Sequence, residues 1–359
     1  MSVSTPKNKK KSTGMRIFWG FVFVALAVAT IWFITSSVAS FSWEKFSEYL
    51  KTANPFWMIG ALLCMAGFVV SEGFALRYLE TFFGTRRSLL KNTVYSAADI
   101  YFSAITPSAT GGQPASAMLM IRDGIPPAAT AMILLVNVML YTVSLLIIGL
   151  FCLIFFPSIY LAFAIPSRVL ILIGLSLQAI FVILLLLLIL KEKIVLGIAD
   201  RLMTLLHKLH LMRNVETHRE NLARTVVEYR ACADALKGHT GVVLRVLFYN
   251  LLQRVFNIGV TVCVCFAVGV DLSSFVRLFI TQCYVVLGSN SMPIPGAVGV
   301  ADGLFLDGFS ELLPDTACIE LLSRGISFYL CTLLCALLFF GSVLLHSVKS
   351  HKNAPKDGE

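Results

Sequence analysis

The chain has 359 residues, of which 57% are hydrophobic and only 14% charged, with a formal net charge of +9. A mean hydropathy of +0.83 excludes an ordinary soluble enzyme and indicates an integral membrane protein, with no room for a large soluble domain beside the spans. The positive charge is sorted by membrane side rather than gathered into a nucleic-acid-binding patch, so no nucleic-acid partner is expected.

Residues 1–16 carry Lys7, Lys9, Lys10, Lys11 and Arg16 and no acidic side chain, which predicts a basic cytoplasmic tail. Ile17 to Val38 follows as about 22 mostly apolar residues. That core is too long for a cleaved signal peptide, so an uncleaved anchor is expected. Residues 39–54 read as a short outer loop. A second span runs over about 55–79 and returns to Arg86, Arg87 and Lys91. Glu72 and Arg77 lie near its inner end, where snorkelling to the interface is their default role.

The next stretch breaks the pattern. Asp99 to Arg122 reads DIYFSAITPSATGGQPASAMLMIR, and no continuous helix holds its middle. Pro107 and Pro114 each remove a backbone donor and push the preceding residue from helical geometry, while Gly111 and Gly112 permit a sharp reversal. Broken backbone at membrane depth survives only inside protein or beside a watery cavity. The prediction is a re-entrant hairpin, with a helix over about 90–106, a turn, and a helix over about 113–123.

Pro126-Pro127 opens a span of about 127–156 containing Asn137 and Tyr141. Residues 157–166 form a short outer turn, and a Leu/Ile-rich span over about 168–190 is expected to face lipid. Residues 191–240 hold nine Lys/Arg, six Asp/Glu and four of the six histidines. Their Leu stripe and i,i+4 charge pairs predict a basic amphipathic cytoplasmic segment on the inner leaflet rather than a metal site. The span of about 242–270 carries Asn250, Gln253, Arg254 and Asn257 on one helical face. Those residues serve either as interhelical hydrogen bonds or as the lining of a path.

Residues 271–324 are acid-rich and belong outside. They contain a second break, Pro293-Ile294-Pro295-Gly296-Ala297-Val298-Gly299-Val300-Ala301-Asp302-Gly303, preceded by an apolar arm over about 274–292. A second re-entrant element, entering from the outer side, is predicted there. The last span, about 322–347, begins at Arg324 and leads to a basic tail, 348–359. Predicted inner segments hold 21 Lys/Arg against five in outer segments, which puts both termini in the cytoplasm. The nine cysteines (64, 152, 232, 263, 265, 283, 318, 331 and 335) fit neither a disulfide framework nor a zinc site. No phosphate-cradling GxxxxGK[ST] sequence occurs, and neither metal nor cofactor is expected.

The predicted fold is therefore an all-α polytopic membrane protein with about six spans and two opposed re-entrant hairpins, arranged like an inverted repeat. Such pairs bind substrate between their breaks. A phospholipid headgroup needs that help, because its charges cannot cross about 30 Å of hydrocarbon bare. Helix N-termini near Gly112-Gln113 and Gly299-Val300 suit a phosphate. Asp99 or Asp302 suits an ammonium, and Arg254 or Arg324 suits phosphate or those acids. For each residue a structural salt bridge is the alternative. An enzyme acting on a lipid-linked substrate, or an accessory subunit, is the competing class.

The stretch YFSAITPSATGGQPASAMLMIRDGIP resembles the signature of the lysylphosphatidylglycerol synthase transmembrane-region family, the flippase-like domain of the bacterial multiple peptide resistance factors. PIPGAVGVADG and Ser323-Arg324 resemble its second and third landmarks, with Ala297 in place of a Gly and Asp302 in place of a Glu. The resemblance covers nearly the whole chain and implies a flippase-like domain over 17–347 in a bacterial plasma membrane. It also implies movement of anionic or aminoacylated phosphatidylglycerol to the outer leaflet, which would weaken attack by cationic antimicrobial peptides. The candidate site residues are Asp99, Thr106, Gly111, Gly112, Gln113, Pro295, Gly296, Gly299, Asp302 and Arg324, which lie on those landmarks or next to them, together with Asn250 and Arg254 from the polar face of the span over about 242–270. Possible protein partners are a second copy of the chain and a separate lipid synthase. About ten residues follow the last span, so no aminoacyltransferase domain, and no lysyl transfer, is expected.

Overall fold

The structure, a computed structural model, describes residues 43–106, 109–190, 231, 234–236 and 238–352. The predicted span 17–38, the basic tail 1–16, nearly all of the amphipathic segment 191–240, Pro107, Ser108 and residues 353–359 lie outside the described residues. Every regular element among the described residues is helical.

Residues expected to be a plain outer loop form α1 (Trp43–Thr52). It is tied down at one point, where Lys45 Nζ lies 2.8 Å from Asp315 Oδ1 and Tyr49 donates to Asp315 Oδ2 at 2.9 Å. The first described span, α2 (Pro55–Phe82), starts with Asn54 accepting the Phe56 N–H and with Pro55 in the first turn, where its missing donor costs nothing. The helices α3 (Leu89–Ile105) and α4 (Gly112–Arg122) flank the first break, within two residues of the expected limits. The chain continues as α5 (Pro127–Phe155), the short α6 (Pro157–Ala162) and α7 (Ile165–Leu190). After the undescribed segment come α8 (Thr240–Ala267), α9 (Phe275–Ser289) and α10 (Val300–Gly308). The last rod is α11 (Thr316–Arg324), a π-helical turn over Gly325–Leu330, and α12 (Cys331–Lys352).

Six described helical stretches are long and apolar enough to cross a membrane: Pro55–Phe82, Pro127–Phe155, Ile165–Leu187, Thr240–Ala267, Leu272–Ser289 and Thr316–Leu345. Five fall where spans were expected. Leu272–Ser289 was expected to be only the entering arm of a hairpin, and by length and composition it also qualifies.

The most extensive helix pair is α2 with α8. Small residues let them close up: a Cβ on Gly67 would stand 2.8 Å from the Phe256 ring, and one on Gly259 would stand 3.1 Å from Cys64 Sγ. Lipid is as apolar as leucine, so such close approach, rather than water exclusion, holds membrane helices together. The same logic revises α7. One side of it is not lipid-facing at all: Gln178 is buried and donates to Leu287 O at 3.2 Å, and a Cβ on Gly174 would fall 2.2 Å from that carbonyl.

The apolar interior is split in two. One cluster takes Ala61, Met65 and Val69 of α2 with Ile258 to Phe266 of α8 and Cys152 of α5. The other takes Ala75, Leu76 and Leu79 of α2 with Val246 of α8 and Met132 to Leu140 of α5. Between them, on the same three helices, lie Glu72, Asn250, Gln253, Arg254 and Tyr141. A polar layer thus runs between two apolar halves.

Asp123 ties the end of α4 to the start of α3 at a face rich in basic side chains. It accepts from Tyr95 Oη at 2.8 Å, lies 3.0 Å from Lys91 Nζ, and gives its backbone carbonyl to Arg87. Burial by itself would push its carboxyl up, but the Tyr95 and Lys91 hydrogen bonds, with the Lys91 and Arg122 charges, hold it below its ordinary value. A carboxyl depressed in the folded state stabilises above its unfolded value near 3.9 and loses that contribution as pH falls through the folded value. Asp123→Asn is therefore expected to cost about 1–3 kcal/mol at neutral pH. Thermal melts in detergent from neutral pH to pH 3 would show the two proteins converging toward the acid end.

Candidate functional site

The first break is built around glycine and two hydroxyls. Thr106 Oγ1 donates to Phe102 O at 2.6 Å and accepts the Gly111 N–H at 2.9 Å, which turns the chain at the end of α3. Ala109 takes a left-handed conformation at φ 54°. On the return, Gly112 passes so near α3 that a Cβ would stand 1.9 Å from Asp99 Oδ1 and 2.1 Å from Ser103 Oγ. The close approach lets Gln113 Nε2 donate to Asp99 Oδ2 at 2.8 Å, lacing one arm to the other. The N-terminus of α4 has no side-chain cap.

Asp99 does not stand alone. Its carboxyl neighbours that of Glu72 on α2, which is hydrogen-bonded to Ser96, one turn before Asp99 on α3. Glu72 is 5% exposed, and it accepts from Ser96 Oγ at 3.0 Å and from Gln253 Nε2 at 3.1 Å. It does not snorkel. The helix runs on to Phe82, leaving ten residues, or about 15 Å, between Glu72 and the helix end.

The Arg254 guanidinium on α8 also acts on Glu72. Arg254 is 3% exposed and lies 4.1 Å over the Tyr141 ring, with Nη1 donating to Tyr141 Oη at 3.1 Å. Its Nε and Nη2 have no hydrogen-bond partner. Tyr141 in turn donates to Asn290 Oδ1 at 2.9 Å. Tyr141 is the midpoint of α5, so Asn290 and the end of α9 sit at mid-depth, yet Asn290 is exposed. Asn250 is placed differently: it is fully buried and donates to Asn137 Oδ1 at 3.2 Å, an interhelical contact.

The second break has the same ingredients. Pro295 opens a turn with Gly296 at φ 60°, Ala297 at φ 49° and Gly299 at φ 84°. Asp302 accepts the Gly299 N–H at 2.7 Å, so this helix start already holds a carboxylate. Its other oxygen lies 2.9 Å from Arg324 Nη1, and Arg324 Nη2 donates to Gly296 O. Glu320, one helical turn before Arg324, is 4% exposed and lies close to Asp302. Residues read from sequence as outer acids are thus interior ones, because the helix carrying Glu320 turns that face to α8 and α10. The π-helical turn after Arg324 brings Phe328 against Gly296, where a Cβ would stand 2.5 Å from the ring.

The second break packs on an arm of the first. The turn at 295–297 packs against α3, which carries Asp99. Of the residues singled out in the sequence, Asp99, Thr106, Gly111, Gly112 and Gln113 gather at one break and Pro295, Gly296, Gly299, Asp302 and Arg324 at the other. Arg254 bridges toward Asn290, while Asn250 stands apart. Sequence reasoning missed Glu72, Glu320, Tyr141 and Asn290 as members of the site. The Glu320–Arg324 i,i+4 spacing was the available signal for one of them.

Gly112 gives a direct test of the first break. Gly112→Ala is expected to destabilise by about 1–3 kcal/mol, because the added methyl must displace both the Asp99 carboxyl and the Ser103 hydroxyl. A thermal melt of the purified variant in detergent checks this.

Compared with known families, residues 17–335 match the model described as the lysylphosphatidylglycerol synthase TM region. A search of curated proteins returns no match. With its apolar helices and the family match spanning most of the sequence, the chain is a multi-pass membrane protein and belongs to the lysylphosphatidylglycerol synthase TM region family.

Proposed function

We propose that this protein carries phospholipid headgroups between leaflets, with aminoacylated phosphatidylglycerol as the favoured cargo. The carrying observation is Arg254, a buried guanidinium at mid-depth with two nitrogens unpartnered, joined through Tyr141 to an exposed Asn290 and acting on Glu72, the neighbour of the half-buried Asp99. A cation at bilayer depth is costly unless it faces partners or a polar cavity, so such a residue marks a substrate path. A lipid phosphate would take the free Arg254 donors, and the Glu72–Asp99 pair would take an ammonium group.

On this reading α3/α4 and α9/α10 are re-entrant hairpins entering from opposite sides. The first has both ends at the basic face, fastened by Asp123. The second starts beside α6 and returns to the same side, where Asp307 Oδ2 accepts the Ala164 N–H at 2.9 Å. The basic face lies in the cytoplasm by the positive-inside rule. Delivery of a cationic lipid to the outer leaflet of a bacterial plasma membrane would lower its negative surface charge and so resist cationic peptides.

Transbilayer exchange of labelled lysyl-phosphatidylglycerol in liposomes carrying the pure protein tests this. The wild type should accelerate exchange over empty vesicles. Arg254→Gln should slow it about tenfold or more, since a charge-assisted hydrogen bond is worth about 1.5–3 kcal/mol. Equal exchange with and without protein would overturn the reading.

A further inference from the structure

Each break is served by two carboxyls and one guanidinium: Glu72, Asp99 and Arg254 at the first, Asp302, Glu320 and Arg324 at the second. With every group ionised, each cluster would hold one uncompensated negative charge among apolar helices. An unpaired buried charge is strongly disfavoured. Two neighbouring ionised carboxylates are acceptors only and repel each other, so the Glu72 and Asp99 carboxyls are compatible as neighbours when one proton lies between them.

The two clusters differ in access. Asp302 has no exposed surface, with one oxygen on the Gly299 N–H and the other beside Arg324. At the first cluster Asp99 is half-buried, and its oxygens take hydrogen bonds from the neutral Ser103 and Gln113 beside the Glu72 carboxyl. The groups facing the Glu72 carboxyl are Asp99 and Ser96 from α3, Gln253 and Arg254 from α8, and Cys335 from α12. Arg254 turns its bonded nitrogen to Tyr141. The surplus negative charge therefore sits at the reachable edge of the cluster.

We propose that the Glu72–Asp99 pair is a one-proton exchange site, at which a bound proton and the ammonium of an aminoacyl headgroup exclude each other. When the ammonium enters, the shared proton leaves one carboxyl oxygen for water. The pair then carries two negative charges against Arg254 and the ammonium, so charge balances before and after. This deepens the headgroup-carrier reading and rests on it. It makes export of a cationic lipid an exchange against protons, whereas phosphatidylglycerol, lacking an amine, displaces none.

The test uses the full chain in nanodiscs, in weak buffer with a pH-sensitive dye. Short-chain lysyl-phosphatidylglycerol should release up to one proton per lipid bound, and short-chain phosphatidylglycerol none. Its affinity should weaken as pH falls, approaching tenfold per unit. Glu72→Gln, and separately Asp99→Asn, should abolish the release and flatten the pH dependence. A variant that does not melt like the wild type is set aside for the other. Lysyl lipid bound with no proton release and a pH-independent affinity overturns the exchange site but leaves the carrier intact. Neither lipid binding overturns both. As a readout independent of lipid, the infrared band of a protonated carboxyl at neutral pH should diminish in Glu72→Gln; an unchanged band also counts against the shared proton.

Discussion

The structure depends on one constraint: a layer of charge has to be held at mid-membrane, where water cannot screen it. Each helix that crosses the layer has to supply a polar group at the right level and apolar surface above and below it. This is what the sequences of α2, α5 and α8 do. Glu72 divides Met65 and Val69 from Ala75 and Leu76, Tyr141 divides Leu140 from Cys152, and Gln253-Arg254 divides Val246 from Ile258. The two apolar clusters hold the helices, and the layer between them is where binding energy is available. Because the low-dielectric surroundings strengthen satisfied interactions and penalise unsatisfied ones, the free Arg254 donors are expensive to keep. A fold retains such a group where function uses it.

The broken helices follow from the same constraint. A continuous helix satisfies its own backbone and presents only side chains to the layer, whereas a break can bring backbone within contact distance of a carboxylate. That approach demands glycine. Gly112 lies where any Cβ would collide with Asp99, and Gly296 lies where one would strike Phe328. Proline does the complementary work by preventing the helix from continuing through the break. The π-helical turn over Gly325–Leu330 is a third irregularity, and it falls directly after Arg324, the residue that holds the Gly296 carbonyl. Such insertions in a helix concentrate at functional positions.

Much of this was legible in the sequence, for identifiable reasons. The limits of α3 and α4 follow from Pro107, Gly111 and Gly112, whose backbone restrictions act locally. The paired breaks follow for the same reason. What sequence could not supply was partnership across the fold. Glu72 looked like an interfacial side chain because its helix was expected to end at about 79, and three more residues carry it to the interior. Glu320 looked like an outer-loop acid because charge counting assigns a whole stretch to one side, although a single helix can expose one face and bury another. Helix α7 looked lipid-facing because Gln178 is uncharged and Gly174 is silent in a hydropathy scan, yet both are shaped to α9. The loop read over 39–54 hid α1 because its amphipathic period is only ten residues long and its partner, Asp315, is distant in sequence.

The two clusters share a composition but not a state, and that difference fits what the proposed carrier requires. A site serving both leaflets must never be open to both, so its two halves should be alike chemically and unlike in access at any moment. Asp302 spends its oxygens on the Gly299 N–H and Arg324, and its break is pulled shut through the Gly296 carbonyl. Asp99 is held by neutral side chains that give way more readily than a guanidinium does. Exchanging these roles needs no new residue. Arg324 would release Gly296 while Arg254, with two donors free, would draw the Glu72–Asp99 pair closed. Because the turn at 295–297 packs on the helix that carries Asp99, a movement at one break would press on an arm of the other. A mechanical contact between two charge-matched clusters is the least machinery with which an opening on one side can enforce a closing on the other.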